Sequence, residues 1–173
     1  MGGYIALSFA HLFPERLIGF GLINSHCFAD TKEKIKNRKK SILFIAKYGA
    51  AAFVKEIYNH IYTDYYQANN RFSIDMHIWY ASQCTPEALI QATEIMMNRK
   101  DQSDVLKNAQ VPVLLINGKL DESAPLALTL KQSSYPAIAD VHFYEDCKHM
   151  SLFEKYEETK IVIRKFIELC IDK

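Results

Sequence analysis

Val111-Pro112-Val113-Leu114-Leu115-Ile116-Asn117, followed by Gly118-Lys119-Leu120-Asp121, is the stretch that sets the fold class of this 173-residue chain. The apolar run does not alternate with polar residues. That pattern belongs to a strand buried on both faces, and such strands occur in parallel sheets covered by helices. The four residues after it form a loop at the strand's C-terminal end. In open parallel sheets, binding and catalytic groups lie beyond those ends.

Downstream, Pro125 to Ser133 has helical periodicity and Val141 to Tyr144 is a third apolar strand. The next loop is Glu145-Asp146-Cys147-Lys148-His149-Met150, and Glu154 to Leu169 is an amphipathic helix. Upstream, Tyr4 to Phe13 is a helix ended by Pro14, and Arg16 to Asn24 contains another buried-strand run. Between these lies a polar and aromatic stretch with helical periodicity over roughly 33–48, 50–62, 65–82 and 86–98. Thr85-Pro86-Glu87 is a helix start, with Thr85 as N-cap and Pro86 in the first turn. The fold class is therefore α/β: three parallel strands flanked by helices, with a helical insertion. The expected organisation is a core at 1–28 and 101–173, interrupted by an insertion at 29–100.

Composition excludes several functions. Apolar residues make up 49% and charged residues 24%, as in an ordinary globular protein. A formal charge of +1 creates no global field for nucleic acid or an anionic surface. Lys32 to Lys40 carries six basic residues and one acid. It reads as a solvated helix face, because no aromatic platform or nucleic-acid motif accompanies it. Cys27, Cys84, Cys147 and Cys170 show no C-x-x-C spacing, so no metal site is expected. Reduced thiols in a cytoplasmic protein are expected instead. No signal peptide is recognisable, and no apolar run reaches the ~20 residues of a membrane span. No cofactor is expected.

The chemistry concentrates in Asp121 and His149, which stand on adjacent loops at one sheet edge. An acid there can fix the tautomer of an imidazole and stabilise its protonated form, while the other ring nitrogen serves a nucleophile.

Here the sequence resembles a known family. "VPVLLINGKLDESAP" at 111–125 and "VHFYEDCKHMSLFEKYEE" at 141–158 are similar to the acid and histidine regions of α/β-hydrolases of the lipase and esterase type. "MGGYIALSFAHLFPERLIGFGLINS" at 1–25 resembles the stretch C-terminal to the nucleophile of their G-x-S-x-G elbow. The resemblance implies a serine hydrolase acting on a small, apolar ester or related acyl bond. Asp121 would be the triad acid and His149 the general base. The amide of Met1 would be an oxyanion-hole donor, and Gly2 the elbow glycine, where a side chain would crowd the strand-to-helix turn. The insertion would be a cap whose aromatic residues, Trp79 among them, line a pocket together with His26 and Cys27.

Two positions depart from the family pattern: Lys148 stands where glycine is usual before the histidine, and Tyr156 where proline often opens the last helix. Ser8, Ser25 and Ser41 do not fit the elbow motif. The nucleophile is expected immediately before Met1, which makes this chain a truncated fragment without triad-dependent activity and with a strand edge open to self-association. Two alternatives stay open: a dehalogenase-type enzyme with an Asp nucleophile, and a non-catalytic binding protein that keeps the fold.

Overall fold

The computed structural model describes residues 1–172, which divide into two compact units. One unit comprises Met1–Phe28 and the chain from Asp101 onward, and the other is Ala29–Lys100.

In the first unit, α1 (Gly2–Leu12) leads through a short 3-10 turn (Pro14–Arg16) to β1 (Phe20–Ile23). Leu17 and Ile18 precede the strand instead of belonging to it. The helices and strands α6 (Ser103–Lys107), β2 (Val113–Gly118), α7 (Leu126–Ser133), β3 (Ala139–Tyr144), α8 (Ser151–Glu154) and α9 (Tyr156–Ile171) lie in the second half of the chain. The sheet order is β1-β2-β3, all parallel, with Ile23 beside Ile116 and Ile116 beside His142.

The central position of β2 accounts for its uniform apolarity. All six of its residues are buried. Val113 and Leu115 face one cluster with Leu7, Leu22, Cys27 and Leu106, while Leu114 and Ile116 face another with Phe166 and Cys170. A strand paired on both edges and covered on both faces has no solvent side to make polar. β1 pairs only with β2 among the described residues, so its other edge carries no partner strand there.

The last helix starts at Tyr156, with Lys155 as N-cap. Tyr156 therefore holds the first helical position, where a proline is well tolerated because that amide has no partner within the helix.

In the second unit, α2 (Lys32–Ile61) spans two of the expected helices. Gly49, at φ 81°, breaks the helical path between them, in a region that glycine enters without steric cost. α3 (Asp64–Asn69), α4 (Arg71–Ala81) and α5 (Pro86–Met97) complete the unit. Thr31, Thr63 and Thr85 each cap a helix, accepting from the amides of Lys34, Tyr66 and Ala88 at 3.2, 3.3 and 3.2 Å. Asp30 and Arg99 stand at opposite ends of this stretch of chain. Arg99 Nη1 lies 2.6 Å from Asp30 Oδ1, and Arg38 Nε also pairs with that carboxylate. Burial would raise the Asp30 carboxyl, but the two guanidiniums outweigh it and hold the group below its ordinary value. No helix among the described residues is long and apolar enough to cross a membrane.

Candidate active site

Asp121 and His149 meet where the loops after β2 and β3 come together. His149 Nδ1 donates to Asp121 Oδ2 at 2.8 Å. The two side chains differ sharply in exposure, 32% for His149 and 1% for Asp121.

Backbone bonds between the loops set this approach. The amide of Lys119 donates to the Tyr144 carbonyl at 2.8 Å, and that of Leu120 to the Cys147 carbonyl at 3.0 Å. Gly118 makes the crossing possible. A Cβ there would overlap the carbonyl oxygens of Cys147 and Lys148 and lie 2.7 Å from the Cys147 carbonyl carbon. The loop that carries the histidine thus runs directly over the end of the central strand.

The acid loop curls around its own carboxylate. Asp121 Oδ1 accepts from the amides of Ser123 at 2.7 Å and Ala124 at 3.0 Å. Oδ2 accepts from His149 and from Asn24 Nδ2, the latter at 3.2 Å. Burial disfavours the ionised form. The hydrogen bond and charge of His149, together with the two loop amides, outweigh it and hold the carboxyl below the usual aspartate value. An ionised aspartate only accepts hydrogen bonds, so it selects the neutral histidine tautomer with the proton on Nδ1. Nε2 then presents a lone pair. Beside the pair lies an open depression of about 500 Å³, lined by Lys119, Leu120, Asp121, Glu122, Pro125, Leu126 and Lys148.

The remaining expected site residues fall in different environments. Met1 is half exposed at the start of α1, and its carbonyl accepts from the amides of Tyr4 at 2.9 Å and Ile5 at 3.3 Å. The crowding expected at Gly2 is absent among the described residues, because an added Cβ there has nothing within 4 Å. The tight position is its neighbour Gly3, where a Cβ would overlap the Ser25 hydroxyl and lie 2.6 Å from Ser25 Cβ. Contact of α1 with Ser25, two residues past β1, demands the small residue at Gly3.

His26 and Cys27 are buried. Gln132 pins the chain around them: its Nε2 donates to the Ser25 carbonyl at 2.7 Å, and its Oε1 accepts from the Cys27 amide at 3.0 Å. Cys27 packs in the apolar cluster, and burial pushes its thiol up to about 12, which leaves it protonated and unreactive at neutral pH. Trp79, on α4, is 56% exposed. Lys148 is half-buried, and its backbone carbonyl accepts from Asn24 at 2.9 Å. Among the described residues, no group of three or more His, Cys, Asp or Glu side chains could hold a metal ion.

Sequence reasoning passed over Asn24, Gly118 and Gln132. Asn24 reads simply as the polar end of an apolar run. Its partners lie 97, 124 and 127 positions away, so no local pattern marks it.

A sequence profile of the Ndr family matches residues 1–167. A comparison with curated proteins finds no match. Among solved structures, the chain is similar to a thermophilic esterase from Thermogutta terrifontis, with a TM-score of 0.89 and 22% identity over 98% of this chain and 62% of that one. It is also similar to an enol-lactonase from Burkholderia xenovorans LB400, with a TM-score of 0.87 and 19% identity over 97% of this chain and 63% of that one. An esterase from Exiguobacterium antarcticum gives a TM-score of 0.84 and 14% identity over 96% of this chain and 63% of that one. The fold is that of the α/β-hydrolases, as the sequence resemblance implies. The chain spans a little under two thirds of the length of these structures.

Proposed function

The chain belongs to the Ndr family, and from its α/β-hydrolase fold and the paired acid and histidine we propose that it carries the acid and base of a hydrolytic triad, with His149 as general base and Asp121 as the acid that orients it. The observation that supports this is the 2.8 Å bond from His149 Nδ1 to a carboxylate that is 1% exposed. With Nδ1 committed, Nε2 can take the proton of a serine hydroxyl as that oxygen attacks an acyl carbon. The imidazolium then formed is stabilised by the adjacent carboxylate, which stays ionised. The same nitrogen returns the proton to the departing alkoxide, and water repeats the sequence on the acyl-enzyme.

In this reading the serine immediately precedes Met1 in a longer polypeptide. There the Met1 nitrogen is a peptide amide at the N-terminus of α1, suited to a developing oxyanion. Gly2 completes the elbow. The substrate is a small ester or related acyl compound.

The test uses the longer protein and a p-nitrophenyl ester. His149→Ala should lower kcat/KM by about 10³–10⁴-fold or more, mostly through kcat. Turnover equal to the parent protein would remove His149 from the chemistry.

A further inference from the structure

We infer that Asn24 is the positioning residue of this site: its side-chain amide sets the spacing between the Asp121 loop and the His149 loop, and so fixes the tautomer of His149. The inference rests on the proposed roles of Asp121 and His149.

Asn24 stands one residue past β1 and is 5% exposed. Its own amide donates to the Ile116 carbonyl at 2.8 Å, extending the ladder between β1 and β2. Its φ is 47°, in the left-handed region that asparagine, aspartate and glycine enter more readily than other residues. That backbone turn directs the side chain among the loops.

Every hydrogen-bonding position of the side chain is used. Nδ2 donates to Asp121 Oδ2 at 3.2 Å and to the Lys148 carbonyl at 2.9 Å. Oδ1 accepts from the Ser151 hydroxyl, and more weakly from the Ser151 amide at 3.4 Å. Only one orientation of the amide is possible. Reversed, its oxygen would face a carboxylate and a carbonyl, and its nitrogen would face the Ser151 amide. Lys148 and Ser151 flank His149 at one and two residues' distance. Asn24 therefore grips the histidine loop on both sides of the ring while holding the carboxylate oxygen to which that ring donates. The Ser123 and Ala124 amides hold the other oxygen, Oδ1, so the carboxylate plane is fixed from two directions.

An aspartate at position 24 has the same shape and backbone tolerance but cannot donate when ionised. A glycine suits the left-handed turn better still and has no side chain. Both substitutions therefore spare the backbone; glycine removes the whole grip, and aspartate removes the two donated bonds and sets a second carboxylate beside Asp121. Imidazole without a directing acceptor prefers its proton on Nε2, so the tautomer of neutral His149 reports the grip directly.

The experiment is long-range ¹H–¹⁵N correlation of the histidine rings in the ¹⁵N-labelled chain. It is run at about pH 8.5, where an ordinary imidazole is neutral. The parent chain should show His149 mainly as the Nδ1–H tautomer. In Asn24→Gly and Asn24→Asp that form should fall below half. Ser151→Ala, which removes one donor to Asn24 and no hydrogen bond to Asp121 or His149, should cause a smaller shift in the same direction. An Nδ1–H population unchanged in both Asn24 variants overturns the inference and leaves the acid–base pairing intact. An Nε2–H ring in the parent chain overturns the pairing itself, and the inference with it.

Discussion

At the C-terminal ends of the strands, Asn24, Asp121, Lys148 and Ser151 join three loops into one hydrogen-bonded group in which the buried amide and carboxylate are fully partnered. The helical unit at 29–100 is built differently. It buries one ionic cluster, Asp30 with Arg38 and Arg99, and leaves large aromatic side chains in solvent, with Tyr65 and Phe72 each 79% exposed. In the first region, position is specified by directional bonds to atoms far apart in sequence. In the second, helix caps, one charge cluster and a small buried core that includes Ile45, Val54, Tyr62 and Ile74 hold elements whose outer faces tolerate change. The proposed proton transfer fits the first kind, because such a step needs geometry held to fractions of an ångström.

The contrast between the two regions breaks most forcefully at the ionic cluster. Asp30→Ala leaves two largely buried guanidiniums without their shared carboxylate. It should cost about 3–5 kcal/mol, seen as lost hydrogen-exchange protection along α2 and α5. Protection equal to the parent chain there would show that caps and packing suffice.

In the first unit, Leu115→Ala should cost about 2–5 kcal/mol by opening a void in the fully buried central strand, read as a lower urea midpoint. Gly118→Ala should cost about 1–3 kcal/mol, because the obstructing atoms are backbone carbonyls that cannot swing aside. It should also shift the His149 ring resonances. Unmoved resonances would mean that the histidine loop can lift without disturbing its ring.

Acid sharpens the contrast further. Asp30 and Asp121 are both held below the ordinary carboxyl value, Asp121 by His149 and loop amides and Asp30 by guanidiniums, each against the opposing effect of burial. The unfolded chain therefore binds protons more readily at these groups than the folded chain does. Their stabilisation is complete above the unfolded carboxyl value of about 3.9 and is lost as pH falls through the lower folded values. The urea midpoint should drop across that range, and Asp121→Asn and Asp30→Asn should each flatten part of the drop. Identical slopes in parent and variants would contradict the assignment. The smallest effect belongs to the outer face of the helical unit, where Phe72→Ala should change stability by no more than about 0.5 kcal/mol.

Much of the fold was legible because it is written locally. The apolar run at 111–117 marks the central strand, and Thr85-Pro86 marks the start of α5 at its observed residue. Boundaries slipped where tertiary contact decides them. Leu17 and Ile18 are apolar but lie outside β1, and the two helices expected on either side of Gly49 form one kinked element. α6, a single short turn between Ser103 and Lys107, offers too few residues for a period to show.

Local pattern is enough for the parallel α/β class, the helical insertion, and the placement of an acid and a histidine on neighbouring loops. Each comes from side chains within a few positions of one another, or from the rule that sites gather at strand ends. Tertiary contact alone shows that Nδ1 is the histidine nitrogen that meets the acid, that Gly3 packs tightly against Ser25, and that Asn24 grips both loops. These features depend on contacts between residues that are 28 positions apart for the acid and histidine and about a hundred apart for Asn24 and its partners. Such contacts leave no periodicity behind, so they become visible only when the chain has brought their atoms within bonding distance.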